Sequence, residues 1–267
     1  MSDNPAMFSH SDAYERFMGR WSRLLAPALV SFADVRDGDA VLDVGCGTGA
    51  LSFALRDATG TARITGIDPS RDYVTLAAQK NTDPRVHFEV GDAQQLRFPD
   101  AAFDRTLSLL ALNFVPDRVR AVREMSRVTR PGGLVSVAVW DYAEGMEMLR
   151  VFWDVAVELE PAILPRDEAH MPLCKSGELA ALWAREGLND VQEAPLTVPL
   201  SFASFDDYWA PFLLGQGPAG AHVAKLPEQR QRELAGRLRG RLLGGARDRP
   251  IEMRARAWAV KGTVPRG

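Results

Sequence analysis

The apolar positions of the chain follow two rhythms. Over residues 12–33, Tyr14, Phe17, Met18, Trp21, Leu24, Leu25 and Leu29 recur at spacings of three and four, the stripe of a helix buried on one side. Pro27 falls inside that stripe and is expected to kink or divide the helix. Residues 1–11 read as a frayed tail. From residue 40 the rhythm changes to short apolar runs separated by amphipathic stretches. Runs at 41–44, 63–67, 86–90, 103–112 and 134–140 predict strands. Between them, residues 50–57, a stretch capped by Ser70 that carries Tyr73, Leu76 and Ala77, and residues 117–128 predict helices. Pro131-Gly132-Gly133 turns the chain into the fifth run. Strands that are nearly unbroken in their apolar character, alternating with helices, predict an α/β fold with a parallel sheet covered on both faces.

After Trp140 the alternation stops. Residues 141–188 read as helical with interruptions at Pro161 and Pro165, 191–202 as a strand, 205–243 as helical and 251–264 as a closing strand. The arginine-rich stretch 230–241 sits among Glu228, Glu233 and a leucine stripe, so it reads as a solvated helix face and not as a nucleic-acid surface. A net charge of −3 gives no electrostatic reason for nucleic acid or an anionic membrane as partner. With 267 residues the chain can bury a core that needs no staple. Its two cysteines, Cys46 and Cys174, suit a reducing compartment. No stretch approaches the roughly 20 apolar residues of a membrane span, and the first residues lack a secretory pattern. A cytoplasmic protein without membrane insertion is expected.

The chemistry concentrates in Val41-Leu42-Asp43-Val44-Gly45-Cys46-Gly47-Thr48-Gly49-Ala50. Glycines between a strand and a helix allow a sharp turn and close approach of a ligand, and the helix start beyond them is expected to offer free N–H groups. Gly45, Gly47 and Ala50 also match the dinucleotide pattern. A nicotinamide cofactor accounts for Asp68, a carboxylate at the end of the second strand suited to ribose hydroxyls. It does not account for Asp43, which would repel a pyrophosphate but suits a ligand carrying an ammonium and a sulfonium. Nor does it account for Gly91-Asp92-Ala93 after the third strand, where an adenine edge would lie.

In order and spacing, Asp43 to Gly49, Asp68, Gly91-Asp92-Ala93, the run 103–112 and Arg130-Pro131-Gly132-Gly133 resemble the class I S-adenosylmethionine-dependent methyltransferases. The similarity is to their ubiquinone/menaquinone-methyltransferase-like group of small-molecule enzymes, and Tyr14-Glu-Arg-Phe-Met-Gly19-Arg-Trp21 resembles that group's leader helix. The resemblance implies a three-layer Rossmann-like fold with a seven-stranded, mostly parallel sheet whose last strand is reversed. It implies one domain over 1–267, with leader helices at 1–36, a cofactor-binding core at 37–140, and helical lid elements with the last two strands at 141–267. It also implies S-adenosylmethionine as cofactor. Asp43, Gly45, Cys46, Gly47 and Thr48 would hold its methionine end, Asp68 with Pro69 the ribose, Asp92 and Ala93 the adenine, and the main chain near Leu109 would close beside the methionine. The quinone-pathway C-methyltransferases carry Arg-Asn after the fourth strand where this chain has Asn113-Phe114, so quinone-ring methylation is not adopted.

A sulfonium cofactor supplies its own electrophile, so no catalytic residue need show as a motif, and none does. The reaction class implied is transfer of a methyl group to a small acceptor, aromatic or lipophilic, with no metal. An NAD(P)-dependent oxidoreductase and a non-catalytic S-adenosylmethionine-binding regulator are the alternatives. Cys46 reads as a small loop residue, and His87 as a core or sheet-edge residue. Glu168, His170 and Cys174 tempt a zinc reading but lack a fourth ligand, so a surface loop is expected. His222, after a glycine-rich segment of the lid, is either a base or loop structure. Trp140, Tyr208 and Trp209 either pack the lid helices or line an acceptor pocket. Tyr14 and Arg20 either reach the cofactor from the leader or serve, respectively, in core packing and on the surface.

Overall fold

The computed structural model describes residues 11–266, so the tail expected at 1–11 lies outside the described residues except for Ser11. The strands are β1 (Ala40–Val44), β2 (Arg63–Asp68), β3 (Val86–Val90), β4 (Phe103–Leu109), β5 (Thr129–Trp140), β6 (Asn189–Phe202) and β7 (Ile251–Thr263). They form one seven-stranded sheet in the order β3-β2-β1-β4-β5-β7-β6. β1 to β5 pair in parallel, and β7 runs antiparallel to both β5 and β6. The chain therefore reverses its strand order at β1, between β2 and β4. Ligands of open α/β sheets bind at such a switch point, beyond the carboxyl ends of the strands.

The leader begins with α1 (Ser11–Tyr14), widens into a single π turn at Glu15–Gly19 and continues as α2 (Arg20–Phe32). Pro27 lies inside α2 and does not divide it. Leu25, Ala26, Leu29 and Val30 are buried on either side of it, and that burial outweighs the roughly 3 kcal/mol an interior proline costs. α3 (Ala50–Ala58), α4 (Arg71–Lys80) and α5 (Arg118–Val128) follow β1, β2 and β4. The Ser70 and Asp117 side chains cap α4 and α5 by accepting the Tyr73 and Arg120 amides.

Two strand ends differ from the sequence expectation. β4 stops at Leu109, short of 112, because Leu110 turns to φ +61° and the chain coils through a 3-10 turn at Leu112–Phe114. β5 begins at Thr129 and takes in the Pro131-Gly132-Gly133 turn. A register shift between Phe103 and Arg105 absorbs those residues, since Phe103 pairs with Thr129 and Arg105 with Leu134.

Beyond β5 come α6 (Glu147–Leu159), 3-10 turns at Pro161–Arg166 and Glu168–His170, and α7 (Glu178–Arg185). Between β6 and β7 lie α8 (Phe205–Trp209), a 3-10 turn at Ala210–Leu214, α9 (Gly217–Val223) and α10 (Glu228–Leu243). These helices and the leader share one aromatic core. Phe212 packs on Phe17 at 5.1 Å and on Phe152 at 4.7 Å, and Trp21 meets Phe202 at 5.2 Å. On α10 the arginines face solvent and pair with Glu228, Glu233 and Glu158, while Leu234, Leu238 and Leu243 are buried. No helix among the described residues is long and apolar enough to cross a membrane.

Candidate active site

At the end of β1 the chain turns through Gly45 to Gly49 into α3. Gly45 has φ +76°, and a methyl group there would sit 2.3 Å from the Ala111 Cβ, so the turn requires glycine. Gly47 also has a positive φ, +54°, but nothing among the described residues lies within 4 Å of where its side chain would begin. The Gly45 and Cys46 amides both donate to the Ile67 carbonyl at 2.8 Å, the Gly47 amide donates to Asp68 Oδ2 at 3.0 Å, and the Gly49 amide donates to Cys46. These four loop amides are held within the protein, whereas the first bond into α3 runs from the Phe53 amide to the Gly49 carbonyl, so the Ala50, Leu51 and Ser52 amides at the helix start have no intrahelical partner.

The two carboxylates of the site, Asp43 and Asp68, are in distinct states. Asp43 is fully buried, its Oδ2 accepting from the Ser52 hydroxyl at 2.6 Å and its Oδ1 without a partner among the described residues. Burial pushes its carboxyl up to about 7 against the pull of Ser52. Asp68 is raised as well, chiefly by burial, with the Ser70 and Gly47 amides pulling it back. Both of its oxygens accept from backbone, and each keeps a lone pair for a hydroxyl donor. A donor set made of two carboxylates, one with an unpartnered oxygen, fits a ligand with an ammonium group and a diol, and disfavours a pyrophosphate.

The leader closes over this loop. The Thr48 hydroxyl donates to Glu15 of the π turn, which also pairs with Arg23 and lies 3.7 Å from Lys80. Burial alone would raise the Glu15 carboxyl, but the Thr48 and Arg23 hydrogen bonds and the nearby cations hold it below its usual value. Tyr14 meets Tyr73 of α4 at 5.6 Å between rings and hydrogen-bonds Ser22 at 3.0 Å. Burial pushes its phenol up to about 12, and the Asp68 charge acts in the same direction. The Tyr73 hydroxyl is buried without a partner. Glu15 and Tyr73 were not legible as site residues. Glu15 reads as a polar position of the leader stripe, and only the wider π turn and the approach of Thr48 reveal it. Arg20 turns away from this site, pairing with both Asp207 oxygens at 2.9 and 3.1 Å and lying over Trp21 and Phe202.

Of the expected residues, Gly47 and Asp68 share a hydrogen bond, while Asp43 bonds Ser52 and Thr48 bonds Glu15. Pro69 is an exposed link into α4, and Leu109 is buried at the carboxyl end of β4. Asp92 is exposed just after β3, with Oδ1 accepting the Gln94 amide at 2.8 Å, and Ala93 follows it half-buried. The Cys46 thiol is pushed well above its ordinary range by burial and by Asp43 and Asp68, which leaves it inert as a nucleophile.

Outside the loop, several candidates change place. Glu168 and Cys174 are buried, so the expectation of a surface loop there is corrected. Among the described residues no three of His, Cys, Asp or Glu group to hold a metal. His222 lies in α9 and not in a loop, packs against Trp153 at 5.9 Å and Phe152 at 6.5 Å, and borders a small niche with Leu226 and Leu234. Burial holds its imidazole below the usual value, as for a core histidine. His87 is exposed on the edge strand β3. Tyr208 is fully buried with its hydroxyl donating to the Met148 carbonyl at 2.9 Å, and Trp209 packs on Phe212, so both serve the lid core. Trp140 is fully buried, and its Nε1 has no partner.

Residues 42–137 match the family described as a methyltransferase domain. Over 179 residues the chain is 32% identical to demethylmenaquinone methyltransferase of Bacillus licheniformis, covering 61% of this chain and 76% of that one. It is 39% identical over 117 residues to 27-O-demethylrifamycin SV methyltransferase of Amycolatopsis mediterranei, a match covering 42% of this chain and only 43% of that one. Among solved structures, the YcgJ protein from Bacillus subtilis superimposes with a TM-score of 0.60 at 21% identity, over 93% of this chain and 100% of that one. The nicotinamide alternative finds no support in these likenesses.

Proposed function

Because the chain belongs to the class I S-adenosylmethionine-dependent methyltransferases, in the group of the menaquinone and ubiquinone enzymes, we propose that it transfers a methyl group from S-adenosylmethionine to a small organic acceptor. One observation carries the proposal. Two buried carboxylates flank an open glycine turn, one of them with an oxygen that nothing among the described residues satisfies.

S-adenosylmethionine would supply an already electrophilic methyl group, so the chain's task is to position and to exclude water. Asp68 accepts the ribose hydroxyls through the lone pairs its two amide contacts leave open. Asp43 complements the ammonium end, which would satisfy Oδ1 and draw its carboxyl back toward the ionised form. Asp92 and Ala93 lie where adenine would be read, and the backbone at Leu109 borders the methionine. Gly45, Cys46, Gly47 and Thr48 shape the floor. Glu15, from the leader, fastens Thr48 and closes the site from above. The first comparison enzyme acts in quinone chemistry by its name, but Asn113-Phe114 after β4 departs from that pathway's pattern. Ring C-methylation is therefore not the reading adopted.

Calorimetric titration with S-adenosylmethionine, S-adenosylhomocysteine, NAD and NADP tests the proposal. Saturable binding of the first two alone is expected. Binding of NAD or NADP in their place would overturn it.

A further inference from the structure

A second set of buried polar atoms lies where the carboxyl ends of β4 and β5 meet the leader and the lid. Glu168 is 3% exposed, and its Oε2 accepts from the Trp153 indole at 2.6 Å. No donor among the described residues bonds its Oε1. A methyl group built on Gly217 of α9 would stand 3.9 Å from that oxygen and 3.4 Å from the ring of Phe17. Phe17 belongs to the π turn whose Glu15 bonds Thr48, so one turn of the leader touches both the glycine loop and the Gly217 backbone that borders Glu168.

Neighbouring groups point to the same need. Asn113, just after β4, gives its Nδ2 to the Met171 sulfur at 3.7 Å, while its Oδ1 is buried without a partner. Gln216, next to Gly217, is buried with Oε1 unpartnered. Tyr142, just after β5, is buried, and its phenol approaches Asn113 without satisfying that oxygen. The cation that could neutralise Glu168, Arg150 of α6, is paired with Asp167. A glutamine at 168 would satisfy the Trp153 indole equally well, so packing alone does not call for a carboxylate.

We propose that Glu168 is the proton acceptor for a hydroxyl-bearing acceptor molecule, and that the reaction is O-methylation. A hydroxyl both donates and accepts, so it suits a carboxylate oxygen and amides that can present either end. The inference rests on the methyl-transfer reading above. In balance, the acceptor O–H bond breaks and its proton passes to Glu168 Oε1, while the electron pair stays on oxygen. That pair forms the new O–C bond as the methyl's bond to sulfur breaks with its electrons left on sulfur, and Glu168 then gives the proton to water. The groups acting on Glu168 are Trp153 and Arg150 of α6, which favour its ionised form, and Asp167 of its own segment, which opposes it. Their sum with burial leaves the carboxyl raised to about 7, suited to proton transfer near neutral pH. Tyr142, from beyond β5, faces the same charge.

The test titrates 4-nitrophenol into protein saturated with S-adenosylhomocysteine, reading the phenolate absorbance about one pH unit above the pH at which the free probe is half ionised. In wild-type protein the Glu168 carboxylate and the probe are expected to share one proton, so part of the bound probe stays neutral. In Glu168→Gln the bound probe should ionise as the free probe does, its ionisation displaced downward by about one pH unit, tenfold in population. Glu168→Asp should fall between the two, and both variants should bind S-adenosylmethionine as wild type does in calorimetry. Equal phenolate in wild type and Glu168→Gln, or no binding of the probe to wild type, overturns the proposal. If wild type fails to bind S-adenosylmethionine at all, the cofactor reading beneath it falls first, and this one with it.

Discussion

At the glycine turn the Gly47 amide reaches Asp68, 21 residues along the chain, whereas between leader and lid Arg20 pairs with Asp207, 187 residues away. The cofactor half is built from backbone turns and strand ends in close succession. Its shape depends on glycine conformations and on two carboxylates whose positions the sheet fixes. The leader-and-lid half is built from side chains far apart in the chain, such as Arg20 with Asp207 or Phe17 with Phe212. The first kind of site tolerates few changes of backbone. The second can change its acceptor by changing side chains, which is one physical reason a shared core accompanies relatives named for different acceptors.

The sharpest contrast comes from glycine. Gly45→Ala, with its positive φ and the Ala111 contact, should cost about 3 kcal/mol by strain and overpacking together. Urea denaturation measures it, and a loss below about 1 kcal/mol would mean the turn is not rigid. Next, Asp68→Ala should weaken S-adenosylmethionine binding by about 2 kcal/mol in a protein that still folds, the worth of charge-assisted hydrogen bonds. Unchanged affinity would remove Asp68 from the ribose role.

Asp43 and Glu168 set the two halves side by side, since burial holds each near 7. A carboxyl raised in the folded state binds its proton more tightly there than in the unfolded chain. Its stabilising share is full below the ordinary carboxyl range near 4 and is lost as pH rises through about 7. The ligand-free protein should thus lose up to about 1.4 kcal/mol per pH unit for each group across that window. Asp43→Asn and Glu168→Gln should each flatten the slope seen in wild type. Saturating S-adenosylhomocysteine should abolish the Asp43 share alone. Abolition of both shares by that ligand would show that the two halves are one electrostatic unit. The smallest effect returns to glycine: Gly236, exposed in α10 with open space around it, should gain about 0.5–1 kcal/mol on Gly236→Ala, opposite in sign to Gly45→Ala.

Legibility in the sequence followed the same division. The first five strands, the turn at Gly45 and the placement of Asp43 and Asp68 come from local periodicity and spacing, and the structure has them within a few residues. β4 ran short because the left-handed Leu110 is invisible to an apolar pattern, and Pro27 misled because tertiary burial overrides a local penalty. Glu168 reads as surface since Gly217 is remote in sequence and nothing in the local spacing announces a carboxylate buried against the Trp153 indole. His222 looked loop-borne because its glycines resemble a turn, yet α9 forms through them.

The position of β7 between β5 and β6 has a consequence for synthesis. The Ser136 hydroxyl of β5 bonds the Val260 carbonyl of β7, 124 residues further on. While the chain emerges from the ribosome, the five parallel strands can assemble, but β5 keeps a bare edge rich in valine until residue 263 has been made. Such an edge is a template for pairing with another chain. The nascent protein therefore carries its greatest aggregation hazard late in translation, and pausing or chaperone capture over residues 141–250 would protect it.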